Sequence, residues 1–337
     1  MFEIKHTLCP SCSVGCGINV ILDGEEIVGT FPYKRHPVNA GKNCLNGRTS
    51  IDCYINKFED VDLNNAIADA SKEIKSADAS DVTVICSGNN SIDEIEAIKT
   101  FAEANGFNLG FYADGLKNFD DVASYDEVAH ASKVFVIGDL LYENPLIGRR
   151  IVHAKQNDAK IYAVSKNENA VTFNIADETS TSSVQEFLDK FNGEIDDSSV
   201  VVFNYVDAAD DLDKLGSLNC KILPVFSKPN TKGALSVIDS KSNDEMIELF
   251  DNTKVLLVFN DDVVDEFDYD FTKISKVISL ACCENDTTKI SSIVIPIKTW
   301  LEQDGSFVNA MGETQNFNSV VESDNLGIIE VIEELNK

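Results

Sequence analysis

The stretch Cys9-Pro10-Ser11-Cys12-Ser13-Val14-Gly15-Cys16 is followed, after twenty-seven residues, by Cys44, which gives the spacing CxxCxxxC-x27-C. Three thiolates on one tight loop and a fourth from a second loop can surround a 4Fe-4S cubane with one sulfur per iron. Gly15 and Gly17 let the backbone turn sharply beside a bulky inorganic core. The N–H groups of such a loop can donate to the cluster and tune its potential. Structural zinc is the competing reading, but four-cysteine zinc sites usually present two CxxC-like knuckles. Cys44 has no near partner of that kind, and only His36 or Cys53 could substitute. The spacing therefore predicts one 4Fe-4S cluster, with Cys9, Cys12, Cys16 and Cys44 as metal ligands.

The other five of the nine cysteines, Cys53, Cys86, Cys220, Cys282 and Cys283, lack such spacing. Unpaired cysteines commonly pack as small hydrophobes, and that role is expected for Cys86 at a strand end. A vicinal redox pair at Cys282-Cys283 is the minor alternative. Nine cysteines, four of them within thirty-six residues, are too few and too uneven for a secreted disulfide framework. Metal ligation in a reducing compartment is the better fit.

Working outward, the 337 residues suffice for about two or three cores of ordinary domain size. Hydrophobic residues at 43% and charged residues at 25% exclude disordered and fibrous classes. The 57 Asp and Glu against 28 Lys and Arg leave a formal charge of -29. That balance argues against nucleic acid, whose binding starts from a basic surface, and against an anionic membrane face. No apolar run reaches the ~18 residues of a membrane helix. The opening MFEIKHTLCPSC lacks the basic start and apolar stretch of a signal peptide. Arg149-Arg150 is internal and unsuited to twin-arginine export. A cytoplasmic protein without membrane insertion is expected.

Residues 1–55 carry strand-like pieces at Ile18–Leu22 and Glu26–Thr30 around the turn Asp23-Gly24. From Asn64 the pattern alternates between helix and strand. Helices are expected at Asn64–Lys75, at Ser91–Asn105 closed by Gly106, at Leu146–Asn157, at Ser183–Phe191 and at Asp244–Asp251. Strands are expected at Val82–Cys86, Lys133–Ile137, Lys160–Val164, Val200–Asn204, Lys221–Val225 and Val255–Asn260. The acidic stretches Glu194–Ser199 and Asp207–Asp213 read as solvated loops. The fold class is α/β: a small β-rich cluster domain followed by doubly wound α/β domains. The expected division is 1–55 for the cluster, 56–165 with 286–337 for a first α/β domain, and 166–285 for a second.

The segment CPSCSVGCGINVILDGEEIVGTFPYKRHPVNAGKNCLNGR resembles the amino-terminal domain of molybdopterin oxidoreductases, formate dehydrogenase α subunits most of all. Ser87-Gly88 with the Glu-rich helix ending at Asn105-Gly106 is similar to the family's first nucleotide-domain helix. Asp139-Leu140, Asn144-Pro145, Arg149 and Ala159-Lys160 resemble a cofactor-proximal region. Pro229-Asn230-Thr231-Lys232-Gly233-Ala234 is similar to a family loop, and Ser292–Pro296 with Glu302–Asn309 to a late family segment. The resemblance implies a cluster exchanging electrons with molybdenum or tungsten held by two pterin guanine dinucleotides.

Four departures bear on that second cofactor. The chain ends soon after the Asn309 segment, so the terminal β-rich pterin-covering domain is expected to be absent or supplied by another subunit, as in formylmethanofuran dehydrogenases. Asn46 stands where formate dehydrogenases have a lysine between cluster and pterin. The Tyr112–Asp121 region carries neither the metal-binding Cys or selenocysteine nor its following His. Glu313 replaces the Arg of the family's Asn-x-Glu-Gly-Arg-x-Gln, a charge reversal where pyrophosphate support is expected.

The expected function is an iron-sulfur electron-transfer subunit of a cytoplasmic oxidoreductase complex, with other iron-sulfur or flavin subunits as partners and no catalytic residue of its own. The alternatives are a working molybdo- or tungstoenzyme subunit completed by another chain, and a non-redox assembly subunit with a structural cluster. Glu302 and Asp304 are expected to cap a turn before Gly305. His130 and His153 are expected to be surface or packing residues.

Overall fold

The computed structural model describes residues 2–58, 61–116, 118–119, 121–208 and 211–337. The chain begins with a three-stranded antiparallel sheet of β1 (Phe2–Leu8), β2 (Gly17–Asp23) and β3 (Glu26–Pro32), in that order. The β2–β3 turn at Gly24, φ 65°, is where the sequence places it. The pairing β1–β2, with Leu8 opposite Gly17, was not anticipated. Its consequence is functional: residues 9–16 become the hairpin loop between two paired strands. Ile18, Val20 and Leu22 alternate onto the inner face, as period-two geometry requires, and the latter two pack with Ile51, Leu301 and Val320.

Two five-stranded sheets, parallel throughout, make up the body. The elements in chain order are β4 (Val82–Cys86), β5 (Asn108–Phe111), β6 (Lys133–Ile137), β7 (Lys160–Val164), β8 (Glu178–Ser180), β9 (Ser199–Asn204) and β10 (Lys221–Val225). They continue with β11 (Val255–Phe259), β12 (Lys276–Ala281) and β13 (Ile293–Pro296). The first sheet has the order β13-β12-β11-β4-β5 and the second β10-β9-β6-β7-β8. Strands covered on both faces must be apolar throughout, and β4 and β11 are buried at every position.

This pairing differs from the expected division at two places. Residues 133–164 join the second sheet and 255–281 the first, the reverse of the sequence assignment. Local pattern reveals that a strand exists; which sheet it enters is set by non-local crossovers. The chain passes to the second sheet after β5 and returns after β10.

Helix boundaries follow local chemistry closely. Ser91 caps Ile92–Asn105 in a reciprocal box with Glu94, and Gly106 ends it at φ 68°. Ser183 and Ser242 cap Val184–Lys190 and Asn243–Asp251 in the same way. The stretch expected as a loop at Asp207–Asp213 instead contains the end of helix Tyr205–Ala208 and the start of helix Leu212–Gly216; residues 209 and 210 lie outside the described residues. Lys117 and Asp120 of the Tyr112–Asp121 region also lie outside them.

A last hairpin, β14 (Gly305–Val308) with β15 (Thr314–Phe317), packs against β1 on one side and helices Ile92–Asn105 and Thr231–Leu235 on the other. The C-terminal helix Ile328–Leu335 packs on helices Leu63–Ser76 and Ile92–Asn105. Among the described residues no helix is long and apolar enough to cross a membrane.

Candidate iron-sulfur site

The loop 9–16 closes on itself where Cys9 N donates to Cys16 O at 2.8 Å, just beyond the last β1–β2 pair. Cys9 and Cys16 are buried, and Cys12 is partly so. Cys44 comes from the loop after β3 and caps helix Leu45–Thr49, with Gly47 N donating to its Sγ at 3.4 Å. Ser11 Oγ ties the two loops together by donating to Asn46 O at 3.1 Å. The four cysteines line one small cavity, shared with Asn144, Pro145 and Leu146 of the second sheet's region. The spacing singles out these four cysteines, and the fold brings them to one place.

The electrostatics show what this donor set lacks. Burial, helped by the neighbouring cysteines, pushes the Cys12 thiol up to about 12 and the Cys16 thiol well above its ordinary value. Burial also raises Cys9, against hydrogen bonds from Ser11 that favour its thiolate. Four converging sulfurs in a desolvated pocket repel one another as thiolates unless a strongly cationic core neutralises them. A four-thiolate pocket with backbone N–H donors therefore fits an iron-sulfur core.

The loop is held from several sides. Asn39, fully buried, clamps Gly17 by accepting from its N and donating to its O, each at 2.9 Å. Ser13 N donates to Phe226 O at 3.1 Å, and Phe226 N returns a bond to Ser13 Oγ at 2.8 Å, just past the end of β10. Tyr125 OH donates to Val14 O at 2.9 Å. Arg150, from helix Pro145–Gln156, donates to Val38 O at 2.8 Å and places its charge near Cys16. None of Asn39, Ser13 and Tyr125 carries a sequence signal for this role.

The β14–β15 turn completes the cradle. Ala310 N donates to Ser13 O at 2.7 Å and Gln315 Nε2 to Gly15 O at 3.1 Å. Gly15 has φ 73°, and a Cβ there would lie 2.9 Å from the Asn309 Cβ. Glu313, which the sequence marks as a charge reversal, is exposed and accepts from Asn309 Nδ2 at 3.3 Å within this turn. The turn thus braces the cluster loop.

Glu302 is buried and accepts from Thr299 N at 2.8 Å and from Lys57 Nζ at 2.6 Å. It caps a turn, as expected; Asp304 instead accepts from Ser319 N at 2.7 Å. His130 is exposed and His153 half-buried. Cys86 lies in the core. The Cys282-Cys283 alternative is not realised as a vicinal bond: Cys283 is joined to Cys53.

Beyond β4 and β11, where an α/β sheet offers its ligand crevice, the chain takes up part of the space and leaves a cavity lined by Asn89, Pro229, Asn260 and Cys282. Asn230 N donates to Gly88 O and Asn230 Nδ2 to Asn90 O, both at 2.8 Å. A Cβ on Gly88 would meet Thr231 Oγ1 at 2.5 Å. Lys228 lies 2.6 Å from Asp261 and also pairs with Glu266. Burial opposes its charge, but these two carboxylates outweigh burial and hold its value high.

Residues 2–56 match the molybdopterin oxidoreductase Fe4S4 domain, and residues 200–325 match the molybdopterin oxidoreductase domain. The chain belongs to the molybdopterin oxidoreductase family. Within this family it is 26% identical, over 198 residues, to F420-dependent formate dehydrogenase 1 subunit alpha of Methanococcus maripaludis. It is 27% identical, over 195 residues, to the F420-dependent formate dehydrogenase subunit alpha of Methanocaldococcus jannaschii. Each match covers 48% of this chain and 28% of the relative, so the similarity spans well under half of those proteins. In fold, the molybdopterin oxidoreductase chain is similar to acetylene hydratase from Pelobacter acetylenicus, with a TM-score of 0.66 at 11% identity, covering 98% of this chain and 68% of that one. It is also similar to a chain of the formyltransferase/hydrolase complex of Methylorubrum extorquens, with a TM-score of 0.54 at 11% identity, covering 83% of this chain and 96% of that one.

Proposed function

We propose that this chain is an iron-sulfur subunit of an oxidoreductase complex, carrying electrons through one 4Fe-4S cluster on Cys9, Cys12, Cys16 and Cys44, on a formate-dehydrogenase-like scaffold that has lost its own molybdenum or tungsten pterin centre. The observation that carries the reading is the contrast between two places in one fold. At the first, four cysteines face a common cavity braced from both sheets. At the second, Asn230 and Thr231 take up part of the crevice beyond β4 and β11, a cavity remains beside them, and Lys228 there is already engaged by Asp261 and Glu266. An edge whose buried lysine is already matched by two carboxylates is a poor receptor for pyrophosphate.

Bound at the cysteines, the cluster supplies one-electron transfer. The chain's residues hold its ligands, exclude water through Cys9 and Cys16, and set the local charge through Arg150. Next to Cys44, Leu45 is 72% exposed and Asn46 is exposed beside it. A partner carrying an iron-sulfur or flavin centre would dock there.

The match over residues 200–325 favours a second reading, in which another chain completes a molybdenum- or tungsten-pterin enzyme. Metal and pterin analysis of anaerobically purified protein with its accompanying subunits separates the two. About four irons per chain, a 4Fe-4S signal in the reduced sample and no molybdenum, tungsten or pterin are expected. Stoichiometric pterin with either metal would overturn the loss of the catalytic centre, and zinc without iron would overturn the cluster.

A further inference from the structure

Cys53 stands in the short helix Asp52–Ile55 at the end of the cluster domain, whereas Cys282 and Cys283 follow β12 of the first α/β sheet, 229 and 230 residues away. The fold nevertheless brings the three sulfur atoms within 4.8 Å of one another. Successive residues of a strand point to opposite faces. The chain bends at Cys282, directly after β12, and two consecutive sulfurs thereby converge on Cys53. The juncture is fixed by the pairing of Lys57 with Cys283 and by Phe58 N donating to Cys282 O at 3.1 Å.

Cys53 is bonded to Cys283, and Cys282 Sγ lies 2.8 Å from Cys53 Sγ. A disulfide needs two cysteines, and the third has no place in it. Three partly buried sulfurs beside a cavity, which Cys53 and Cys282 line with Pro10, Thr299 and Trp300, make a three-ligand metal site with one side open. The conditions that keep Cys9, Cys12, Cys16 and Cys44 reduced for a cluster also favour the open, dithiol form of the Cys53–Cys283 pair.

We propose that Cys53, Cys282 and Cys283 form a second metal site, which takes one thiophilic cation of the Zn2+ class once the Cys53–Cys283 bond is reduced, with its fourth coordination position facing the adjoining cavity. A dithiol reductant supplies the two electrons and two protons that open the S–S bond, and leaves as its own disulfide. The three thiols then lose three protons as three metal–sulfur bonds form, and water from the cavity takes the fourth position. Lys57, which pairs directly with Cys283, is held through its Nζ on Glu302. The site would clamp the cluster domain to the first sheet.

The test uses the full chain, purified anaerobically with its cluster loaded, reduced with dithiothreitol, exposed to ZnCl2 and desalted. About one zinc per chain is expected alongside an unchanged iron content, falling at least about tenfold in Cys282→Ser and Cys283→Ser. Zinc absent from iron-replete wild-type protein, or undiminished in Cys282→Ser, overturns the proposal. Residue-resolved alkylation of the wild-type chain needs no variant to fold. Zinc should protect the Cys53, Cys282 and Cys283 peptides from N-ethylmaleimide until a chelator is added, and equal labelling with and without zinc overturns the site. Iron is counted separately, so loss of the cluster reading would be seen as such.

Discussion

Cys44 is the one of the four cysteines that comes from outside the loop, and its Sγ accepts from Gly47 N at the start of a helix. Cys44→Ser should cost the cluster or convert it to a three-iron form, seen in iron content and in the reduced EPR spectrum. Gly15 is constrained twice, by φ 73° and by the Asn309 Cβ that an added methyl would meet. Gly15→Ala should destabilise the protein by about 1–3 kcal/mol and reduce iron loading, as thermal unfolding and iron assay would register. Glu302 titrates with a definite sign. Burial opposes its charge, yet Lys57 and Thr299 outweigh burial and hold its carboxyl below the ordinary range. Its contribution is therefore full above the ordinary glutamate range and is lost as pH falls through the depressed value. The gap in melting temperature between wild type and Glu302→Gln should narrow on acidification through that window; a constant gap would contradict the pairing. The four converging cysteines were legible as spacing, because three of them share one short loop. Asn39, Ser13 and Tyr125 were not, since ordinary polar residues become supports only through contacts distant in sequence.

At the scale of elements, the β14–β15 turn changes meaning between sequence and structure. Glu313 reads as a charge reversal beside phosphate, whereas the turn it occupies lies against the cluster loop. Asn309, fully buried, accepts from Met311 N at 3.0 Å and Glu313 N at 3.1 Å and so shapes the turn. Asn309→Ala leaves those donors unmet, at a cost of about 1–3 kcal/mol. The expected result is a lower melting temperature and faster iron loss to a chelator, with Glu313→Gln nearly neutral by comparison. Helices such as Ile92–Asn105 were readable to within a residue or two because Ser91, Glu94 and Gly106 act locally. β1 was missed: its partner is reached only by closing the very loop that carries the cysteines.

At the scale of the molecule, the second sheet's contribution to the cluster pocket is made by Asn144–Leu146, Tyr125, Phe226 and Arg150. Arg150 is the basic group placed near Cys16, and a nearby cation favours the reduced, more negative cluster. Arg150→Gln should lower the reduction potential by on the order of tens of millivolts while leaving four irons bound. An unchanged potential in redox titration would place the guanidinium's effect outside the cluster's field.

The sequence by itself determined which four cysteines come together, the α/β class, most helix ends and the family, because these rest on spacing, capping and periodicity within a few residues. The tertiary structure alone decided which strand enters which sheet, that the late turn buttresses the cluster loop, and that Cys53 meets Cys282 and Cys283. Those outcomes depend on crossovers and packing between residues up to some three hundred positions apart. Strand patterning specifies which face of a segment is buried, and leaves its neighbours to be chosen by the whole chain.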